Sequence, residues 1–143
     1  MPDFAPYEQF RVFDFEHWVL FLHKGQHFLG RCYLALKRDG AIDIFEDTKP
    51  CELYGLLRAV AAIKKAMNEL FGPDKYDYCS LANEWHHCHL HLIPRYQSER
   101  QFAGATFIDQ CWGRNYALYD RGATFPDELL FQIRDALRCA LSS

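Results

Sequence analysis

The sequence has no Cys-x-x-Cys pair, although it holds six cysteines, Cys32, Cys51, Cys79, Cys88, Cys111 and Cys139. A zinc ribbon or a thioredoxin-like redox centre needs that spacing, so neither is expected. No apolar run approaches the length of a membrane-spanning helix. The start, Met1-Pro2-Asp3-Phe4-Ala5-Pro6, lacks the basic region and apolar stretch of a secretory signal. These absences predict reduced thiols in a cytoplasmic protein with no membrane partner. Cys79 and Cys88 are expected as core fillers, because a free cysteine behaves as a small hydrophobe. A large charge excess is also missing: the net charge is −3. That argues against a nucleic acid polymer as partner, since duplex binding needs a broad basic footprint. A small anionic ligand needs only local positive groups and stays open. No repeat or low-complexity tract appears.

What is present is one domain's worth of foldable chain. The 143 residues are 50% hydrophobic and 16% aromatic, which excludes disorder. A domain of this size buries roughly 68–70% of its unfolded surface and needs no staple. His17 to His23 is aromatic and β-branched and reads as a strand. Lys24-Gly25-Gln26 supplies a turn, and His27 to Lys37 reads as the antiparallel partner. Ile42 to Phe45 is short and ambiguous.

Apolar residues at steps of three and four, from Leu53 through Ile63 to Phe71, predict a long helix over about Lys49 to Phe71. Thr48 is its expected N-cap, with Pro50 in the first turn and Gly72-Pro73 as the stop. Tyr76 to Asn83 and His87 to Arg95 read as strands, separated only by Glu84-Trp85-His86, which predicts a hairpin. Gln97 to Gly122 is too aromatic for a linker and reads as an ordered loop. A last helix is expected from about Pro126 to Leu141, with Thr124 as its candidate cap. The order predicts an α+β fold, an antiparallel sheet with helices on one face.

Four of the seven histidines fall within His86-His87-Cys88-His89-Leu90-His91. A strand has a side-chain period of two, so His87, His89 and His91 share one face, with neighbours roughly 6.5–7 Å apart. Cys88, Leu90 and Leu92 take the other face. Metal binding is one reading, since imidazoles at alternate positions can share a zinc ion. Three along a straight strand converge poorly on a tetrahedral ion, however, and no His-Glu-x-x-His or carboxylate cluster completes a shell. The second reading is nucleophilic catalysis on phosphorus. A neutral imidazole is a good nucleophile near pH 7. Flanking imidazoles can donate to phosphate oxygens. That arrangement makes His89 the attacking residue and His87 and His91 the clamps. The third reading is a water-satisfied polar face, which gains nothing from three desolvated imidazoles.

His87-Cys88-His89-Leu90-His91-Leu92-Ile93 resembles the signature of the histidine triad (HIT) superfamily, His-x-His-x-His-x-x with apolar residues at x. Pro94-Arg95 extends the likeness toward its dinucleoside polyphosphate hydrolase branch. The resemblance covers about residues 15–96 and implies a single HIT-like domain, with residues 97–143 as its C-terminal loop and helix. It implies a homodimer and attack by His89 on the α-phosphorus of a nucleotide, through a nucleotidyl-histidine that water resolves. It also implies substrate contacts from Asn83, at the end of the preceding strand, and from His23, with Phe21, Leu22 and Leu29 lining a base pocket. No cofactor or protein-bound metal is implied, though Mg²⁺ can accompany a polyphosphate. Phosphoramidase chemistry, or a non-enzymatic nucleotide- or zinc-binding module, are the alternatives.

Two departures stand out. Many members have histidine after the glycine of the second strand, where this chain has Gly30-Arg31. Arg31 offers forked donors to phosphate, or else is a solvated strand charge. The glycine-rich loop before the triad, which helps the leaving group depart, is replaced by Asn83-Glu84-Trp85-His86. The general acid is therefore open, with His86 a candidate or merely an exposed turn residue. Glu84 and Arg95 read as surface charges, and Lys37-Arg38 as a solvated pair.

Overall fold

The computed structural model describes residues 2–143. A 3₁₀ turn over Ala5–Phe10 leads into β1 (Arg11–Asp14), β2 (Trp18–Leu22) and β3 (Cys32–Leu36). Helix α1 (Pro50–Leu70) follows, then β4 (Lys75–Cys79) and β5 (His89–Arg95). A small hairpin, β6 (Arg100–Phe102) and β7 (Ala105–Phe107), precedes α2 (Asp127–Leu141). The main sheet is antiparallel throughout, in the order β1-β2-β3-β5-β4. Thus α1 carries the chain from mid-sheet to the far edge. This is the α+β architecture expected from the sequence.

Alternation assigns the two faces. Trp18, Leu20 and Leu22 of β2 lie opposite Leu36, Leu34 and Cys32 of β3. With Cys88 and Leu92 they form the core against Ile63 and Met67 of α1 and Ile133 and Leu137 of α2. The Trp18 indole donates to the Glu52 carbonyl at 2.8 Å, which ties α1 to the sheet. The front face is covered as well. Val19, Phe21, Tyr33 and Ala35 pack under Phe4, Tyr7 and Trp85. Both faces of β2 and β3 are therefore dry, which is why these strands are apolar at every position.

Several expectations are corrected. The second strand is shorter than His27 to Lys37, because residues 23–31 form a loop built around fully buried Gln26. Its amide accepts from Gly30 N at 2.8 Å and donates to the carbonyls of His23 and Arg31 at 2.7 and 2.9 Å. Gly30 has φ +92°, a conformation that lets the chain re-enter the sheet. Ile42–Phe45 is not a strand but a turn, held by Asp43 and Asp47 accepting from backbone N–H groups. The N-cap of α1 is Lys49 rather than Thr48, and Glu52 accepts from the Lys49 N–H. Pro126, not Thr124, precedes α2. The β4–β5 hairpin exists, but its connection is longer than three residues. Register pairs Cys79 with His91, so residues 80–88 are loop. The region 97–122 is not loop alone. Its hairpin turns at Ala103-Gly104, both at positive φ, the type I′ geometry that usually takes Asn-Gly.

Candidate active site

β5 is a central strand, and it presents His89 and His91 on the front of the sheet. Across the β3 ladder, His89 faces Ala35 and His91 faces Tyr33. The methyl of Ala35 leaves space beside His89, whereas the Tyr33 ring packs 5.5 Å from that of His91. His87 enters one step before the strand begins. The Trp85 ring lies over both His87 and His89, with centroids 5.2 Å from each. The row is therefore dry: His87 and His89 are buried.

The three rings are chemically unequal. His89 Nδ1 lies 2.6 Å from the His87 carbonyl oxygen. A carbonyl only accepts, so Nδ1 carries the proton and donates. Nε2 is left with a lone pair and, among the described residues, no hydrogen-bond partner. Burial, with His87 adding, holds the His89 imidazole below the ordinary histidine range, so the ring is neutral near pH 7. His87 Nε2 sits 2.5 Å from the Leu36 carbonyl, so its donor is committed to the backbone of β3. That differs from a simple phosphate clamp. His87 frames the site by bridging two strands and has only Nδ1 to spare. His91 is half-buried, and its buried Nδ1 has no partner. Burial, then His89, Arg31 and His23, pull it down to about 3.

His23 and Arg31 join the row from the 23–31 loop. The His23 ring lies 5.9 Å from that of His91. Its Nδ1 accepts from Gly25 N at 2.9 Å, which places the proton on Nε2. Burial and then Arg31 pull His23 to about 3 as well. Arg31 is not a solvated strand charge. It is 5% exposed, and its guanidinium stands over the rings of Tyr116 and Tyr119 at 5.4 and 5.1 Å. Its Nε and Nη1 have no hydrogen-bond partner.

Other expected residues fall elsewhere. Asn83 does not end a strand; it is exposed in the 80–88 loop. His86 is exposed too, consistent with a residue one step out of phase. Of the proposed base pocket only Phe21 faces the front; Leu22 and Leu29 belong to the core behind the sheet. Lys37 donates to the Phe15 carbonyl and Arg38 pairs with Glu52, so neither is free to steer a ligand. They line a cavity of about 350 Å³ that includes none of the triad.

Arg95 is the largest departure, being 2% exposed rather than a surface charge. Nε and Nη2 bond Asp109 at 2.7 and 3.2 Å, and Nη1 bonds Asp77 at 2.7 Å. The carbonyls of Arg114 and Cys111 take its remaining donors. Arg95 thus fastens the segment that carries Tyr116 and Tyr119 onto the end of the triad strand. Sequence reasoning also missed Phe4, Tyr7 and Gln26. The clustering of Phe4, Tyr7 and Phe10 before the first strand was the available signal for the front cover.

Fold and site together define an α+β domain in which three histidines line the front of the sheet, with Nε2 of a neutral His89 ring left uncommitted. Comparison with family profiles gives the HIT domain over residues 7–98, and the chain belongs to the HIT family. Comparison with curated proteins gives no match. Among solved structures, the chain is similar to the histidine triad protein blr8122 of Bradyrhizobium japonicum. Identity is 16%, coverage 96% of this chain and 95% of that one, and the TM-score 0.75. A hypothetical histidine triad nucleotide-binding protein, ST2152 of Sulfolobus tokodaii, shares 13% identity over 93% and 83% of the chains, with a TM-score of 0.71. A zinc-bound histidine triad family protein of Mycobacterium smegmatis shares 20% over 93% and 84%, with a TM-score of 0.56. At these identities the likeness shows the fold. Family membership supports a nucleotide-binding, hydrolase-type function in general terms.

Proposed function

We propose that the protein is a nucleotide hydrolase or transferase that attacks the α-phosphorus of a nucleoside phosphoanhydride through His89. A dinucleoside polyphosphate is the substrate type we favour. One observation carries this reading: the His89 Nδ1–H is held by the His87 carbonyl, and Nε2 has no hydrogen-bond partner among the described residues. The Nε2 lone pair forms the N–P bond. The P–O bond to the leaving group breaks, and its electron pair goes to the departing oxygen. The ring becomes cationic, and the carbonyl on Nδ1–H stabilises that charge. Water then forms the new P–O bond, the N–P pair returns to Nε2, and the water's proton leaves with product or solvent.

His91, whose ring lies 4.9 Å from that of His89, and His23, 5.9 Å from His91, are the candidate donors for phosphate oxygens. Asn83 stays a candidate substrate contact from the 80–88 loop. Mg²⁺ can accompany the polyphosphate without a protein site. The test is mass spectrometry of protein quenched during turnover of a dinucleoside tetraphosphate. Nucleotide mass on His89 is expected. His89→Ala should lose both the adduct and at least about 10³-fold of the turnover while keeping its fold. Near wild-type turnover in that variant sinks the mechanism.

A zinc-binding role is the second reading, favoured by the zinc-bound relative. Among the described residues, no group of three or more His, Cys, Asp or Glu could hold a metal ion. Stoichiometric zinc in untagged protein, lost on triad substitution, would support it. We also propose a homodimer in the cytoplasm. Exposed Tyr54 and Leu57 on α1 and the unpaired outer edge of β4 support the first. Six free cysteines support the second.

A further inference from the structure

Two buried arginines flank the triad strand, and they are satisfied in opposite ways. Every donor of Arg95 has an acceptor. Arg31 is almost as buried, yet Nε and Nη1 bond nothing. Two buried guanidinium nitrogens without acceptors are costly, because their hydration has been stripped and not replaced. The faces of Tyr116 and Tyr119 pack against Arg31, and an aromatic face leaves the in-plane N–H groups of Nε and Nη1 unused. The fork matches two oxygens of one phosphate.

Among the described residues, no carboxylate is paired with Nε or Nη1 of Arg31, although Asp120 acts on the neighbouring His27. The groups that Arg31 faces are His23, His27 and His91, all of them pushed toward the neutral form. Arg31 is therefore a buried positive charge at the His91 end of the row, with Arg121 also acting on His23 from over the Tyr119 ring. The opposite end is aromatic, with Trp85, Phe4 and Tyr7 around His87. The site is polar along its length, and its charge is displaced from the nitrogen that attacks.

We propose that Arg31 forms a second anion subsite beside the triad, which binds a phosphate other than the one that His89 attacks. This rests on the triad as the reacting centre. It selects nucleotides with at least two linked phosphates. In such a substrate the P–O pair collapses onto a phosphate whose charge the Arg31 fork holds, and no proton is needed for departure. A phosphoramidate leaves as an amine, which must gain a proton. Arg31 cannot donate one, and its charge repels an ammonium. The arginine thus takes over the work of the absent leaving-group acid. Access requires Tyr116 and Tyr119 to shift. Their neighbours Asn115, Ala117, Leu118 and Asp120 are exposed, so that cover can move without disturbing the core.

The test is calorimetric titration of the full chain with inorganic pyrophosphate and with orthophosphate. Wild type should bind pyrophosphate at least tenfold more tightly. Arg31→Met and Arg31→Gln should abolish that preference, Arg31→Lys should keep part of it, and His89→Ala should retain it. Arg31→Met removes an unpaired buried charge, so it should melt cooperatively; if it does not, Arg31→Gln carries the measurement. In turnover, the loss in kcat/KM on a nucleoside phosphoanhydride should exceed that on a nucleoside phosphoramidate by tenfold or more. No pyrophosphate preference in wild type, a preference surviving without Arg31, or equal losses on both substrates overturns the subsite. A preference that depends on Arg31, without any adduct on His89, keeps the subsite and rejects the nucleophile.

Discussion

Two backbone carbonyls make the three histidines unequal. Spacing alone makes His87, His89 and His91 equivalent. The His87 carbonyl fixes the His89 tautomer, and the Leu36 carbonyl takes the donor of His87. The residue scale also sets the response to acid. His23 and His91 titrate at about 3 in the fold, against about 6.5 in an unfolded chain. Between those values the unfolded state binds more protons, so stability falls as the pH drops. Above about 6.5 neither group contributes a slope. Each histidine costs roughly 1.4 kcal/mol per pH unit inside that window. The urea midpoint should therefore fall steadily from pH 6.5 toward 4, and His91→Gln should make that slope shallower. A midpoint unchanged between pH 7 and 4 contradicts this.

At the scale of elements, the triad strand does two jobs with its two ends. Its start carries His89 and His91, and its last residue, Arg95, pins the 109–114 segment through Asp109 and two carbonyls. That segment leads into Tyr116 and Tyr119, which cover Arg31. Removing one partner of a buried ion pair costs about 3–5 kcal/mol, because the other charge is stranded. Arg95→Leu strands Asp109, which is 8% exposed and otherwise accepts only from the N–H groups of Tyr96 and Cys111. The melting temperature should drop by about 10 °C or more. Substrate KM should rise with it as the tyrosines lose their anchor. A variant that melts like wild type would show that the segment is held by something else.

Several large apolar side chains stay uncovered on the molecule's surface. Most large apolar side chains are inside, yet Tyr54 and Leu57 stand exposed on α1, and Tyr78 on the edge strand β4 is 46% exposed. Edge strands with free backbone groups and apolar neighbours invite pairing. We expect the protein to run as a dimer in light scattering, and Leu57→Glu to shift it to monomer while the melting transition survives. A monomer at working concentration in the wild type would refute that. Among the described residues, no helix is long and apolar enough to cross a membrane.

The sequence by itself determined the α+β order, both helices and the identity of the histidine row. These are written in local periodicity: alternation in His87–Arg95, and three- and four-residue steps in α1 and α2. Residue type also pointed to a chemical role for the row, because clustering imidazoles on one face gains nothing structurally. What only the tertiary structure decided depends on partners far apart in the chain. Leu36 commits His87 across 51 residues. Asp109 turns Arg95 from an expected surface charge into a buried pin. The I′ turn at Ala103-Gly104 was hidden because alanine does not advertise positive φ. Arg31 is the plainest case. As a strand residue it reads equally as solvated or as a ligand group. Burial without an acceptor is a property of three-dimensional surroundings, and it turns an ambiguous charge into a site that needs an anion.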